Sequence, residues 1–252
     1  MALLDVVDVT VRYGGNLALD DVSISADEGR VTGLIGPNGA GKTTLFNVVG
    51  GLQPPTRGRV FIDGDNVTSL PPYQRARRGL ARTFQRLELF GLLTVRENIK
   101  VAADIRRGWD RRRVKHSEST AATADRILSD IGLTEVADER ADALPTGTAR
   151  LVELGRALAT RPRLLLLDEP ASGQDESETR KFAVVVRELA SAGIGVVLVE
   201  HDVRLVMDVC DTIFVLDYGQ VLASGPPEHI RSDEAVLAAY LGSAVTSKRP
   251  PA

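Results

Sequence analysis

The chain has 252 residues, 31 Lys and Arg against 34 Asp and Glu, and a single cysteine, Cys210. That length is one large domain or two small ones with room for a sizeable core, and near-balanced charge excludes a polyanion binder that relies on overall basicity. The longest uncharged stretch, Thr43 to Thr56, contains Gly50, Gly51, Pro54 and Pro55 and is shorter than the ~20 apolar residues of a membrane span; the start Met-Ala-Leu-Leu-Asp lacks signal-peptide character and one cysteine forms no intrachain disulfide, so a reducing, cytoplasmic address is expected.

Residues 4 to 13 alternate in part (Leu4, Val6, Val7, Val9, Val11, Tyr13) and Val22-Ser-Ile-Ser-Ala repeats the period of two, predicting half-buried strands at the start. A short apolar strand, Val31 to Ile35, runs into a glycine-rich turn, Gly36 to Gly41, and then into a helix from Lys42 to Val49. A strand returns at Arg59 to Asp63, ahead of Asp63-Gly64. Between Arg86 and Pro162 the sequence becomes Ala- and Arg-rich, with helices expected near 95–107, 120–131 and 147–160. Strand signals resume at Leu164 to Leu167, Gly195 to Val199 and Thr212 to Leu216, separated by helices near 176–191 and 203–209, the alternation of a largely parallel sheet. Ser243 to Ala252 reads as a loose tail.

Gly36-Pro37-Asn38-Gly39-Ala40-Gly41-Lys42-Thr43, followed by Thr44, fits G-x-x-x-x-G-K-[ST]. In that motif backbone N–H groups surround phosphates, the Lys reaches the terminal ones and the Thr hydroxyl meets Mg²⁺. Leu164-Leu-Leu-Leu-Asp168-Glu169 is an apolar strand ending in two carboxylates, at the end of a sheet where ligands bind. Asp168 suits the Mg²⁺ shell and Glu169 is the candidate that polarises an attacking water, because phosphoryl transfer needs positioning and charge neutralisation.

In order and spacing the chain resembles the nucleotide-binding subunit of an ATP-binding cassette (ABC) transporter over nearly its whole length. The resemblance implies an α/β P-loop NTPase (RecA-like) fold with an N-terminal antiparallel β subdomain and an inserted α-helical subdomain. Residues 1–85 and 163–242 would form the catalytic core, 86–162 the helical subdomain and 243–252 a flexible tail. Tyr13, before Gly14-Gly15, matches the aromatic that stacks on adenine. Gln85 in Arg82-Thr-Phe-Gln matches the glutamine that links the metal site to the transmembrane partner, a metal-site and catalytic position together. Asp175 in Ala171-Ser-Gly-Gln-Asp matches the loop that touches the opposite subunit, and His201 in Val199-Glu-His-Asp the histidine on the γ-phosphate. Implied are ATP and Mg²⁺, a second cassette, transmembrane permease subunits, an indirectly acting solute-binding protein, and a place on the cytoplasmic face of the inner membrane.

Within the family the likeness is to the ATPases of branched-chain amino acid importers, carried by Gly33 to Asn47, Gly79 to Phe90 with Leu93-Thr-Val-Arg-Glu-Asn, and Ala238-Ala-Tyr-Leu-Gly. The implied function is ATP hydrolysis that powers uptake of branched-chain or other small amino acids or amides. Lipopolysaccharide-export ATPases share much of this, so export of a lipid or lipopolysaccharide is one alternative. Another is a soluble ABC ATPase on ribosomes or nucleic acid, disfavoured because such relatives carry twin cassettes or long insertions. A third, a regulatory nucleotide switch with little turnover, is weakened by Lys42, Asp168, Glu169 and His201 but kept open by Pro145.

One segment departs from the family. Its signature, Leu-Ser-Gly-Gly-Gln, here reads Leu144-Pro145-Thr146-Gly147-Thr148. In a head-to-tail dimer this segment resembles the lid on the partner's ATP, and Pro145 removes a hydroxyl and a backbone donor from it. Gly147 is retained, Thr146 is expected to cap the following helix, and Thr148 offers a hydroxyl near its positive end. Either the site covered by this segment is weak, giving an asymmetric pair, or Thr146 or Thr148 restores the contact.

Arg106, Arg107, Arg111, Arg112, Arg113, Lys115 and His116 surround Trp109. With Asp110 interrupting and no RNA- or DNA-binding motif, the run reads as a solvated face near membrane headgroups, and no nucleic-acid partner is expected. Val184, Val185, Val186 and Leu189, and Leu154, Ala157 and Leu158, read as helix faces packed on the core.

Overall fold

A computed structural model of the chain describes residues 2–109 and 118–246, with side chains to Tyr240. The opening hairpin pairs β1 (Leu4–Tyr13) with β2 (Asn16–Ala26), which starts well before the expected Val22. The broken alternation of β1 has a physical origin. Pairing runs Val6↔Ile24 and then Val9↔Val22, with Asp8 at φ 51 between them. This bulge returns Val9 and Val11 to the inner face that Leu4 and Val6 begin. The neighbouring β4 (Arg57–Ile62) meets the bulge with Gly58, where a Cβ would lie 2.4 Å from Asp8 O. Two-residue β5 (Asp65–Asn66) completes a four-stranded antiparallel sheet in the order β2-β1-β4-β5.

The second sheet is built on β3 (Val31–Ile35), buried at every position. Flanking it are β6 (Leu80–Arg82), β7 (Leu164–Asp168), β8 (Gly195–Val199), β9 (Thr212–Asp217) and β10 (Gln220–Gly225), in the order β10-β9-β3-β8-β7-β6. All neighbours run parallel except β10 and β9. The Leu run of β7 shows why these strands read as continuous apolar stretches: Leu164 and Leu166 join one core, Leu165 and Leu167 the other.

The first core lies between the two sheets around α1 (Lys42–Gly50). From within α2 (Pro72–Arg77), the fully buried Arg75 closes the far end of α1, donating to Val48 O and Val49 O at 2.7 Å and to Leu70 O and Thr68 O at 2.9 Å. Burial without a carboxylate pushes this guanidinium down to about 10. The second core packs α6 (Glu176–Ser191), α7 (Val203–Val209), α8 (Pro227–Ser232) and α9 (Glu234–Thr246) on the opposite sheet face. In α6 Val186 is buried but Val184 is 57% exposed, since successive helical positions turn ~100° and three adjacent valines cannot share one face. Helix α9 continues through Thr246, beyond the Ser243 start of the expected tail.

A third core joins α3 (Val95–Trp109), α4 (Thr120–Asp130) and α5 (Thr146–Ala159), through residues such as Ile99, Ile127 and Val152. Arg106 Nε donates to Thr160 O at 3.1 Å and its guanidinium stacks over Trp109. Arg111, Arg112, Arg113, Lys115 and His116 lie outside the described residues. Among the described residues no helix is long and apolar enough to cross a membrane.

Candidate nucleotide site

The loop from β3 to α1 owes its course to glycine. At Gly36, φ 151, a Cβ would lie 2.1 Å from Leu216 O; at Gly41, φ 105, it would lie 2.7 Å from Ala18 O. Within the loop Ala40 N donates to Pro37 O, and Gly219 N to Ala40 O. Helix α1 begins after Gly41 with no side-chain cap. Leu45 N is the first to reach back, to Gly41 O, so the N–H groups of Lys42, Thr43 and Thr44 open the helix as unclosed donors, the arrangement that receives an anion.

Lys42 Nζ is turned into the loop, on Gly36 O at 2.7 Å and Pro37 O at 3.0 Å. Burial lowers the pKa of this amine, and the charges of Glu169 and Asp168 oppose the shift. Beside it opens a cleft of about 320 Å³ lined by Asn38 to Thr44, by Glu169 and by Asn16, Leu17 and Ala18. These last three, on β2, escape the sequence reading because only the preceding Tyr13-Gly-Gly draws attention. Tyr13 ends β1 half exposed and is not among the residues lining the cleft.

Asp168 closes β7 and is 6% exposed; its Oδ2 takes Arg82 Nη2 at 2.9 Å. Glu169 sits in the left-handed region, φ 46, with its N–H on Val199 O, a sparsely populated conformation of the kind that clusters at functional sites. Gln85 Nε2 donates to Glu169 Oε2 at 2.8 Å, joining two candidates that are far apart in sequence. Thr43, Gln85 and Asp168 offer only oxygen to a cation, which suits Mg²⁺, an ion that takes few protein ligands and completes its shell with water and phosphate.

His201 follows β8 with an exposed ring, while Glu200 beside it is 1% exposed. The Glu200 carboxylate accepts Ala171 N at 2.7 Å and His201 N at 3.1 Å, and burial raises its pKa against these bonds. Asp202 caps α7 through Arg204 N and Leu205 N.

The divergent segment is held inside its own chain. The N-cap of α5 is Pro145, and Thr146 is already the first helical residue, so Thr146 does not cap the helix as expected. Gly147 is buried, and a Cβ there would be 2.3 Å from Glu178 Cδ. Asp175 has an intrachain task as well: it is the N-cap of α6 in a capping box with Glu178. Thr148 is half buried. Thus Asn38 to Thr44 and Glu169 line one cleft, with Gln85 bonded to Glu169 and Asp168 next to it in the chain, whereas Tyr13, Gly36, Pro37, Asp175, His201 and Thr146 to Thr148 are not among the lining residues.

A stripe on α5 grips the segment after β6. Buried Arg150 donates to Phe84 O at 2.9 Å and also to Gln85 O, and pairs with Glu153 at 3.1 Å. Glu153 accepts Glu88 N at 3.0 Å, and Arg156 donates to Glu88 O while lying over the Phe90 ring. Burial raises the Glu153 pKa, opposed by the Glu88 N–H and by Arg150. Next to this stripe an apolar groove of about 330 Å³ is lined by Leu52, Pro72, Ala76, Phe84, Ala102 and Ala157.

A family model described as ABC transporter matches residues 19–172, and one described as branched-chain amino acid ATP-binding cassette transporter matches residues 220–246. Over 96% of its length the chain is 40% identical to the high-affinity branched-chain amino acid transport ATP-binding protein BraF of Pseudomonas aeruginosa, covering 98% of that protein. With the same coverage of both proteins it is 38% identical to LivG of Escherichia coli, another high-affinity branched-chain amino acid transport ATP-binding protein. It is 35% identical to the lipopolysaccharide export system ATP-binding protein LptB of Haemophilus influenzae, again covering 96% and 98%. The ADP conformation of an ATP-binding cassette of an ABC transporter superposes with TM-score 0.86 at 32% identity, covering 96% of this chain and 99% of that one. A dimeric cassette bound to ADP and Pi does so at 0.76 and 26%, covering 89% and 98%. Likeness over nearly the full length, on a sheet that carries the phosphate loop and the paired carboxylates where the motifs require them, establishes that the chain belongs to the ATP-binding family of ABC transporters.

Proposed function

We propose that this chain is the motor of an importer for branched-chain or other small amino acids, working as one of two cassettes beneath a separate permease on the cytoplasmic face of the membrane. The observation that carries the substrate class is the match of residues 220–246 to the branched-chain family model, which BraF and LivG reinforce. A solute-binding protein would act through the permease.

The unclosed N–H groups of Lys42 to Thr44 and the loop of Gly36 to Gly41 take the phosphates of ATP, with Lys42 Nζ moving from the loop carbonyls to the terminal phosphates. Thr43, Gln85 and Asp168 would hold Mg²⁺, which would supply positive charge to neutralise that developing on the phosphates. Glu169 accepts a proton from the attacking water, and its bond to Gln85 holds the carboxylate in the cleft. His201, on its exposed loop, reaches the γ-phosphate, and Tyr13 covers the adenine. Across the dimer Asp175 and the Thr146 to Thr148 segment face the partner's nucleotide. The groove beside Phe84 receives the permease, and Arg150 transmits its movement to the Gln85 backbone.

Uptake of labelled leucine, isoleucine, valine and small amides by cells lacking the chain tests the reading. Loss of uptake, restored by the native chain and not by Glu169→Gln, is expected. Unchanged uptake with a failure of lipopolysaccharide export would favour the reading that LptB suggests.

A further inference from the structure

Glu200 is a fully buried carboxylate that the reaction as described does not use. It stands between two loops that carry candidate catalytic groups, and its oxygens are divided between them. Oε1 accepts Ala171 N at 2.7 Å, two residues after Glu169, and Oε2 accepts His201 N at 3.1 Å, with Asp202 N–H also facing the carboxylate. The ring nitrogen Nδ1 of His201 is 3.7 Å from the same Oε2. One step inward the two loops are already joined: Asp168 pairs with Val199, and Glu169 N donates to Val199 O at 2.9 Å.

We propose that Glu200 is a positioning residue, a buried tie that makes the loop leaving Glu169 toward Asp175 and the loop carrying His201 move as one unit. This rests on the catalytic reading of Glu169 and His201 above. A carboxylate suits the task because its two oxygens accept from N–H groups on both sides, and in a site of low dielectric such charge-assisted bonds are the strong ones. A glutamine has one acceptor oxygen, and its NH₂ would face a second donor. An ordinary strand-end residue explains neither the burial nor the division of the two oxygens. Movement of the Ala171 to Asp175 segment would displace His201 through this tie, and displacement of His201 would be felt at Asp175.

Amide hydrogen exchange on the full chain reads the tie directly. In the native protein Ala171, His201 and Asp202 should share one opening constant, and in Glu200→Ala both segments should exchange about ten- to a hundredfold faster, the change expected on loss of a hydrogen bond to a charged group. The strands β7 and β8 should stay protected. Separate native opening constants, or exchange in the variant that is unchanged or raised equally in the strands, would overturn the proposal. If the alanine variant does not fold, Glu200→Gln must still release one of the two segments, and the native constants stand independently. ATP turnover supplies a functional arm: Glu200→Gln should lower kcat with little change in KM, and should add little in a His201→Ala background. Losses that multiply would show two independent residues. Native turnover in His201→Ala would refute the role given to His201, while the exchange pattern would still decide for or against the tie.

Discussion

Arg82 and Asp168 form an ion pair of 2.9 Å, with side chains only 10% and 8% exposed, across neighbouring parallel strands. The same guanidinium reaches Asn47 Oδ1 at 2.9 Å and lies over the rings of Phe46 and Phe84. It therefore links the carboxylate at the end of β7 to the helix behind the phosphate loop. Removing one partner of a buried pair leaves the other charge uncompensated, so Arg82→Met should cost about 3–5 kcal/mol of stability in urea unfolding. Adding Asp168→Asn should recover part of that loss. A strictly additive double variant would show that the pair is not coupled.

Pro145→Ser tests the divergent segment. The position already has extended N-cap geometry without a side-chain acceptor, so a serine hydroxyl should stabilise α5 by about 1 kcal/mol. If the hydroxyl also meets the partner's phosphate, ATP-dependent dimerisation should tighten about tenfold or more. Analytical ultracentrifugation with Glu169→Gln present in both chains measures this. Stabilisation with no change in dimerisation would show that a hydroxyl at this position does not meet the partner's phosphate.

Gly147→Ala should act through a neighbour. The added Cβ meets the Glu178 carboxylate, which is held by Asp175 N at 3.1 Å. Yielding means opening the cap of α6, a cost of about 0.5–2 kcal/mol. Thermal unfolding should show this loss in the native background and much less of it in Glu178→Ala. An equal loss in both would place the cause elsewhere.

Cys210 is buried, and its thiol is pushed up from 9.0 to about 12 by desolvation and the Asp211 charge. Between those values the folded state keeps the proton that the unfolded state has lost. Its contribution is therefore intact below pH 9 and declines as pH rises toward 12, by at most about 1.4 kcal/mol per pH unit. The slope of stability against pH in that window should be shallower in Cys210→Ala. Alkylation of the native thiol at pH 8 should be slow until urea is added, as mass spectrometry would show.

Much of the sheet is legible in the sequence because its strands are apolar on both faces, and helices such as 176–191 announce themselves by period and cap. Strand β6 was not expected, since three residues containing Arg82 carry no periodic signal and pair only because β7 provides an edge. The phosphate loop and the paired carboxylates are legible because their chemistry fixes residue type at fixed spacing. Arg82, Arg150 and Glu200 are not, because a buried charge looks like an exposed one until its partners, 86, 65 and 29 positions away, are brought beside it. The expected cap at Thr146 fails for a related reason: Pro145 fits the extended N-cap conformation and starts the helix one residue earlier.

The posture of Lys42 has a consequence for how this protein is compared with its own variants. With its ammonium on Gly36 O and Pro37 O, the lysine braces the loop that leads into its own helix. On the proposed function, nucleotide binding would exchange these carbonyls for phosphate, and part of the favourable enthalpy of the new contact would be offset by the old one. Truncating the lysine deletes both halves of that swap. A Lys42→Ala protein would therefore lose two bonds that brace the loop together with the candidate phosphate ligand, so a change in its nucleotide binding reports both.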